Sequence, residues 1–574
     1  MSGTVRHITG ALLLAAPFAT FAHSEVAKLA PGDVRPAGRI DFATTCKQAV
    51  QPEFNRAVAL LHSFFYEEAR NIFTQVALQD PSCAMAQWGI AQSWWHPIWA
   101  PPNAEEMAAG RAAADKAMDM KASARERGFI EAIDAYYNTP EPKAAGPVGQ
   151  SCHGPIGPRE RVIAYEQATK KVLERFPKDV EAQVFHAFAV VSVGYATPLD
   201  KTLANQKAAG AMLEQVWKTH RQHPGVAHYL IHAYDYPALA TRALEPARAY
   251  AEIAPWVPHA LHMPSHIFTR LGMWDEAIAG NQASAEASRK YALQRKRNAA
   301  EVEELHALDY QMYSYLQQGR DAESRAVLDA AVAVPATYPE HEFIGAYALA
   351  AMPARYALER NAWPEAAALA IPARPHWAKF PFTEALFEYA HALGRAHTGD
   401  IAGARKAVER MSVLRDASTD PKFEYFRKHV DLQTQAASAW LAQAEGRGGE
   451  AIEMLRAAAD AEDALGKHPV TPGALVPARE QLGEVLLAQK RYKEAQQAYE
   501  ASLAIYPARF NALYGAATAA ELAGERKVAR KHYEALLRQS AKANPQRPEL
   551  AKAKAFVAAA DAGGAVVSAR REVD

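Results

Sequence analysis

The segment EFNRAVALLHSFFYEEARNIFTQVALQDPSCAMAQWGIAQSWW, residues 53–95, decides the fold. It predicts a helix, a turn, a second helix that Pro81 closes, and the beginning of a third helix. Ala69 and Phe73 occupy core positions one turn apart on the second helix, and Ala84 begins the third. Small residues let paired helices approach closely, and large aromatic residues fill the gaps between them. The segment therefore predicts helix pairs that stack side by side.

The pattern repeats along the chain and is clearest near its C-terminal end. There, Ala495 and Tyr499 recur 34 residues later as Ala529 and Tyr533. This period resembles the tetratricopeptide-repeat (TPR) family, whose units are two-helix repeats of about 34 residues. The resemblance covers most of residues 50–540 and implies an all-α helical-repeat solenoid, interrupted by Pro/Gly-rich loops. It implies a right-handed superhelix whose concave face is lined by the first helices, and it gives the fold and not the activity.

The length and the breaks in the pattern predict how the chain is divided. At 574 residues it exceeds the usual size of one compact core, which favours a solenoid that grows by adding units. The predicted segments are a signal peptide (1–22), an extended lead-in (23–50), N-terminal repeats (51–138), a Pro/Gly-rich loop that could fold over the concave face as a flap (139–158), central repeats with a histidine-rich site (159–330), further repeats (331–465), C-terminal repeats (466–558) and a flexible tail (559–574).

The charge balance and the missing motifs exclude several classes of function. Lysine plus arginine and aspartate plus glutamate both number 64, and the sequence pI is about 7.4. This balance removes the electrostatic argument for a nucleic-acid partner. The sequence has no Gly-rich phosphate loop, GxSxG elbow or HExxH motif, which counts against nucleotide, serine-hydrolase and zincin chemistry.

The N-terminus has the parts of an export signal. Arg6 and His7 give it a positive start, residues 8–18 form an apolar run, and Ala22 ends a cleavage site of small residues. The run is too short to span a bilayer, and no other stretch of about 20 apolar residues exists. We therefore expect a periplasmic or secreted protein, cleaved after Ala22 and without a membrane span.

Cys46, Cys83 and Cys152 are the three cysteines, so an exported chain would leave at least one of them unpaired. Cys46 precedes the first repeat helix and Cys83 opens the next unit. The resemblance to a TPR stack implies that these two lie close together, which makes them the disulfide candidate. Cys152 adjoins His153 in a Gly/Pro-rich loop, where it is either a metal ligand or incidental.

Histidines are concentrated in residues 225–310, within the segments GVAHYLIHAYDYP, PHALHMPSHIFTRLGMW and ELHALDYQMY. His228 and His232 are four residues apart, as are His262 and His266, and the second pair follows the first by 34 residues. Side chains at positions i and i+4 share one face of a helix, so each pair can hold a metal ion from two sides. The repeated spacing predicts a metal site on neighbouring repeats.

His306 and Asp309, at positions i and i+3, offer a third face from the following repeat. The six candidates are too many for one tetrahedral zinc and enough for two ions, or for one ion with an outer shell. Imidazole ligands suit several transition metals, and we expect copper or zinc. Pro264 predicts a kink or a helix start, which could turn His259, a weaker candidate, toward the site.

Four further residues are candidates for the pocket around this site. Tyr229 and Tyr310 either form its wall or fill the core. Arg270 either orients an anionic substrate or forms an ordinary salt bridge. Asp235 could fix the tautomer of a liganding histidine, as metal-bound imidazoles require. The acceptors near the histidines in sequence are Asp235, Glu303 and Glu304.

Two hypotheses about function remain open. The chain resembles secreted bacterial TPR-repeat proteins of unassigned activity, and one hypothesis adds a histidine-rich metal site in the concave groove. Such a protein would be a copper- or zinc-dependent oxidoreductase or hydrolase that takes a small-molecule or peptide ligand. The other hypothesis is a periplasmic scaffold without catalytic activity, in which the groove binds a peptide or protein and the histidines donate hydrogen bonds. Either protein could bind a partner through its terminal repeats.

Overall fold

Paired α-helices form almost the whole fold. The computed structural model describes residues 35–98, 101–140, 150–151, 154–155, 159–197, 200–340, 342–374, 376–543 and 547–571. The predicted signal peptide, its cleavage site after Ala22, Cys152 and most of the 139–158 loop lie outside the described residues. Successive helices pack against each other, and alternate helices such as those at 180–196 and 224–234 also meet. The all-α helical-repeat fold predicted from the sequence is confirmed.

The helices before the histidine-rich segment are α1 (Gln51–His62), α2 (Tyr66–Gln79), α3 (Ala84–Trp95), α4 (Ala104–Asp119), α5 (Ala124–Asn138), α6 (Arg159–Arg175), α7 (Val180–Ala196) and α8 (Ala204–Trp217). Those of the central part are α9 (Pro224–Tyr234), α10 (Leu244–Ile253), α11 (Pro258–His262), α12 (Pro264–Leu271), α13 (Trp274–Gln294), α14 (Val302–Gln317) and α15 (Asp321–Val332).

The remaining helices are α16 (Phe343–Leu358), α17 (Trp363–Ala367), α18 (His376–Lys379), α19 (Pro381–Thr398), α20 (Ile401–Ala417), α21 (Glu424–Ala444), α22 (Gly448–Leu465), α23 (Ala478–Ala488), α24 (Tyr492–Ile505), α25 (Phe510–Leu522), α26 (Arg526–Gln539) and α27 (Pro548–Arg571). Helix α27 extends to Arg571, into the segment 559–574 for which the sequence predicted a flexible tail. Three short 3₁₀ turns lie at Gln48–Val50, Ala240–Ala243 and Pro421–Phe423.

Two short β-ladders accompany the helices. Strands β1 (Gln150–Ser151) and β2 (Gly154–Pro155) pair in antiparallel fashion within the loop that was expected to act as a flap. Strand β1 contacts α7, and β2 contacts the 3₁₀ turn that precedes α21. Strands β3 (Ala300–Glu301) and β4 (Thr337–Tyr338) pair in parallel. No helix among the described residues is long and apolar enough to cross a membrane.

Small residues allow the helices to approach one another, as the sequence pattern indicated. A Cβ atom at Gly89 would lie 2.4 Å from the ring of Phe73, and one at Gly515 would lie 2.3 Å from the ring of Tyr499. Real Cβ atoms do not approach this closely, so only glycine leaves room for these rings. The N-terminal lead-in is tied to the second helix pair, because Cys46 and Cys83 form a disulfide with their Cα atoms 4.7 Å apart.

The C-terminal repeats also contact the central ones, which a simple stack of neighbouring repeats does not predict. Arg509, fully buried before α25, donates to Glu359 Oε1 at 2.8 Å and to Glu480 Oε2 at 3.1 Å. Its Nη1 also donates to the hydroxyl of Tyr313 at 3.1 Å. Trp274 Nε1 donates to the carbonyl of Ala508 at 3.1 Å. One buried guanidinium thus joins α14, α16 and α23.

The buried Arg509 predicts a large loss of stability when it is replaced. Arg509→Met should lower the free energy of unfolding by about 3–5 kcal/mol, because Glu359 and Glu480 would remain buried without a counter-charge. Urea unfolding followed by circular dichroism measures the change. Arg491→Met is the matched control, because Arg491 bonds only the exposed Glu494 and its loss should have little effect. Replacing both glutamates by glutamine in the Arg509→Met variant should restore most of the stability, and no recovery would contradict this account.

A second prediction concerns the pH dependence of stability. Burial raises the pKa of Glu462, whose Oε1 accepts from Ala478 N, to about 8. The folded protein therefore holds this proton more tightly than the unfolded chain, so its stability falls as pH rises between the two pKa values. Glu462→Gln keeps the acceptor and removes the titration. In urea unfolding, the variant should gain stability relative to the parent as the pH rises from 5 to 8. If the difference in free energy of unfolding between the two proteins is the same at both pH values, the assignment is wrong.

Candidate metal centre

Helices α9, α11, α12 and α14 carry the histidines of the site. Helix α9 begins with Pro224, and the side chain of His223 caps it by accepting from Val226 N at 3.3 Å. Pro264 ends α11 and begins α12, as expected, but Met263 between them keeps helical angles, φ −53° and ψ −37°. The interruption therefore preserves the i,i+4 relation of His262 and His266.

Three histidines form a first triad, His228, His232 and His259. The Nε2 atom of His228 lies 3.0 Å from that of His232 and 3.1 Å from that of His259. All three side chains are buried. The sequence placed His228 and His232 together and gave His259 less weight, whereas the structure includes it fully.

Hydrogen bonds orient the rings of the first triad. His228 Nδ1 lies 2.7 Å from the carbonyl oxygen of His62, which can only accept, so this nitrogen carries the hydrogen and Nε2 has a lone pair. His259 Nδ1 lies 3.4 Å from Glu303 Oε1. The sequence had marked Glu303 as an available acceptor. The bond to His62 thereby turns the Nε2 of His228 toward the centre of the triad.

The second triad consists of His262, His266 and His306. The Nε2 atoms of His262 and His266 are 3.0 Å apart, and the ring centroids of His262 and His306 are 4.3 Å apart. One nitrogen of each ring lies within 4.8 Å of the others. These histidines are also buried.

In the second triad, the Nδ1 atoms of His262 and His266 both act as hydrogen-bond donors. His262 Nδ1 donates to Asn281 Oδ1 at 2.7 Å, and the amide of Asn281 is fixed because its Nδ2 donates to Ala277 O. His266 Nδ1 donates to the carboxylate of Asp235 at 3.0 Å. In the neutral state, therefore, two Nε2 lone pairs face each other at 3.0 Å with no hydrogen between them. This contact is repulsive unless a cation lies between the two nitrogens.

The surroundings keep the imidazoles neutral. Burial, together with the neighbouring histidines, holds the pKa of His228, His232 and His262 well below the usual value. The pKa of His266 is also lowered by burial, although Asp235 opposes this shift. Neutral imidazole is the form that binds metal ions. Protonation of these imidazoles is therefore disfavoured.

Asp235 links the second triad to the rest of the protein. Burial alone would raise its pKa, but Lys467 and Arg270 outweigh this effect and hold the pKa far below its usual range. Arg270 Nε donates to Asp235 Oδ1 at 2.8 Å, so Arg270 forms a buried salt bridge. Of the two roles considered for Arg270 in the sequence, the structure therefore shows the ion pair.

Aromatic residues and a loop enclose the triads. The ring of Phe64 lies 4.3 Å from that of His228, 5.5 Å from that of His232 and 5.4 Å from that of His259, between centroids. Phe64 lies in the turn between α1 and α2 and has a positive φ of 54°. In turns between other helices of the chain, glycines such as Gly272 and Gly319 adopt a positive φ. This backbone conformation costs about 1–2 kcal/mol for a residue with a side chain. The strained backbone thus holds a ring over the first triad.

Residues 466–477, the loop between α22 and α23, lie against the second triad. The hydroxyl of Tyr310 donates to the carbonyl of Pro469 at 2.7 Å, and its ring lies 4.9–5.2 Å from those of the three histidines. Lys467 Nζ donates to the same hydroxyl at 3.3 Å. The sequence predicted the histidines in the concave groove, and in the structure long-range packing of this loop helps to enclose the imidazoles.

Two other candidates have different neighbours from those expected. Asp309 does not join the triad, because its Oδ1 accepts from the buried Arg355 at 3.2 Å and pairs with that charge. Arg355 in turn donates to Thr471 Oγ1 in the 466–477 loop. The hydroxyl of Tyr229 lies 2.9 Å from His62 Nδ1, outside the triads. Tyr229 therefore supports the residue whose carbonyl orients His228.

Sequence reasoning missed a third buried group, His62, Glu181 and His223. Glu181 lies 3.0 Å from His62 Nε2 and 3.2 Å from His223 Nε2, and these contacts satisfy all three side chains without a metal. A cleft of about 650 Å³ adjoins Glu181 and His223, and the described residues that line it include none of the six triad histidines. These residues are far apart in the sequence and share no spacing, so no sequence signal identifies them.

Comparisons with known proteins add no information about activity. No family model matches the chain, and no curated protein matches it. Among solved structures, the human IFIT1 dimer with PPP-AAAA is similar at 14% sequence identity and a TM-score of 0.35, over 84% of this chain and 89% of that chain. This similarity is too low to support any statement about the ligand.

The bond between Asn281 and His262 can be tested by a double-mutant cycle. Asn281→Leu should lower the free energy of unfolding of the metal-free protein by about 1–3 kcal/mol, because it leaves the buried Nδ1–H of His262 without an acceptor. In a His262→Phe background the same change should cost much less, since no N–H remains. Equal costs in the two backgrounds, measured by urea unfolding, would show that this hydrogen bond does not set the tautomer.

Proposed function

We propose that this protein is an exported, transition-metal-dependent protein in which each histidine triad binds one ion, copper or zinc. One observation carries the proposal, the facing Nε2 atoms of His262 and His266, whose hydrogens are both on Nδ1. A buried contact of this kind costs free energy in a protein without a bound cation. A divalent ion converts it into two coordinate bonds.

The distances between the nitrogens agree with this proposal. Two nitrogens bound at about 2.05 Å to one tetrahedral ion are about 3.3 Å apart. Three of the nitrogen pairs in the triads are 3.0 or 3.1 Å apart, and the other pairs lie within 4.8 Å. Short nitrogen–nitrogen separations thus occur in both triads.

Partners of the ligands support the proposal as well. Metal-bound histidines use their second nitrogen to donate to a carbonyl, amide or carboxylate oxygen, which fixes the tautomer. The oxygens in these positions belong to His62, Asn281 and Asp235, with Glu303 near His259. Burial raises the pKa of Glu303 to about 8, and a bound cation nearby would favour its ionised form.

Three imidazoles per ion favour catalysis over a purely structural role. Structural zinc is closed by four protein ligands, whereas catalytic sites have three and leave a position for water or substrate. The chemistry that fits is hydrolysis by a metal-activated water, or electron transfer if the ion is copper. The enclosure of the triads would exclude bulk water and limit access to small reactants.

The disulfide between Cys46 and Cys83 supports export. Disulfides persist in oxidising compartments such as the periplasm and the extracellular space. This agrees with the export signal expected in residues 1–22, and we propose cleavage after Ala22. In such a compartment the chain would meet copper or zinc directly.

Elemental analysis provides the test. The protein, exported with its own signal and purified without a histidine tag or chelator, should contain close to two equivalents of copper or zinc by plasma mass spectrometry. His228→Ala and His266→Ala should each lower the metal content by about one equivalent, because each removes a ligand from one triad. The double variant should be metal-free and should retain its helical circular dichroism.

His220→Ala is the matched control, because His220 is exposed, bonds its neighbour Thr219 and lies outside both triads. This variant should keep its full metal content. Folded parent protein without metal, or unchanged metal content in the double variant, would exclude the proposal. The fold would then be better explained as a peptide- or protein-binding scaffold.

A further inference from the structure

The two triads are related by a constant step along the helices that carry them. Helices α9, α11 and α14 each contribute one residue to the surroundings of the first triad and, three residues later, one residue to the surroundings of the second triad. On α11 both residues are ligands, whereas on α9 and α14 one of the two is a carboxylate that contacts a ligand. The pairs are His232 and Asp235 at the end of α9, His259 and His262 on α11, and Glu303 and His306 on α14.

The common step fixes how the triads lie relative to each other. Because it has the same sign on all three helices, the helices run in the same direction past the two triads. Three residues correspond to about 4.5 Å of rise along an α-helix, nearly one turn. The two groups of Nε2 atoms therefore occupy neighbouring layers of the same helix bundle.

The two remaining histidines, His228 and His266, lie at opposite ends of this arrangement along the helices. His228 lies four residues before His232, and His266 lies four residues after His262. Each triad thus has one inner pair of ligands facing the other triad and one outer ligand facing away.

We infer that the two triads form one binuclear centre, in which two divalent transition-metal ions lie roughly one helical turn, about 5 Å, apart. The inference rests on the proposed function, since it requires both triads to bind metal. Two-metal catalytic sites have separations of about 3.5–4 Å, at which both ions can act on the same substrate atoms. The short α11, which places His259 in one triad and His262 in the other, makes this close approach possible.

Copper binding and electron paramagnetic resonance test the inference. The full-length protein is loaded with Cu²⁺, freed of excess, and its copper content is compared with its integrated spectrum. Two ions this close interact magnetically, so the parent should show either a half-field transition or an intensity more than twofold below its copper content. His259→Ala and His306→Ala should each bind one ion fewer. Their remaining ion should give the full intensity of an isolated Cu²⁺, without a half-field signal.

The other outcomes separate this inference from the proposed function. Two bound ions whose spectrum is the sum of two isolated centres would overturn the binuclear arrangement and leave the metal sites intact. A single ion per chain in the parent, lost in only one of the two variants, would overturn the binuclear arrangement and show that only one triad binds metal. Binding no greater than that of the His228/His266 double variant would overturn both. His220→Ala should have the coupled spectrum of the parent, and its loss would show that the signal does not report on the triads.

Discussion

Everything around the triads is consistent with a single constraint, that two imidazole lone pairs cannot face each other in a buried site without a cation. Asn281 and Asp235 fix the tautomers of His262 and His266, and the carbonyl of His62 fixes that of His228. Arg270 and Lys467 in turn hold Asp235 in its ionised form. These partners therefore direct the lone pairs inward, an arrangement that a positive charge at the centre would stabilise.

Contacts from the N-terminal and C-terminal repeats enclose the central repeats that carry the histidines. Arg355 connects Asp309 on α14 to the 466–477 loop, and Arg509 connects the C-terminal repeats to α14 and α16. Phe64 brings the first helix pair over the first triad. A repeat protein ordinarily has contacts only between neighbouring units. Here buried ion pairs and one strained aromatic residue add contacts between distant units, and these contacts exclude solvent from the histidines.

Local spacing explains what the sequence could predict. The helix pairs follow from small and aromatic residues at fixed intervals, and the two HxxxH pairs from the period of the repeat. The roles of Asp309, His259 and His62 depend instead on partners distant in the chain or on ring orientation, which spacing does not specify. Asp309 resembled a ligand because it lies one turn after His306, yet the buried Arg355, far along the chain, pairs with it. His62 was missed because its contribution is a backbone carbonyl, which any residue possesses.

The carbonyl of His62 lies far before the triad histidines in the sequence, so the site forms only after distant parts of the chain have packed together. All six imidazoles lie in residues 228–306, but the oxygen that orients His228 comes from the end of α1, and the cover of the second triad comes from the 466–477 loop. The segment with all six histidines therefore does not contain the whole site, because two of its supporting parts come from the beginning and the late part of the chain. Only a chain whose beginning, middle and late segments have packed together presents correctly oriented nitrogens, so under the proposed function metal binding belongs to the last stage of folding. Under the same proposal, the compartment in which folding ends determines which ion is available to bind.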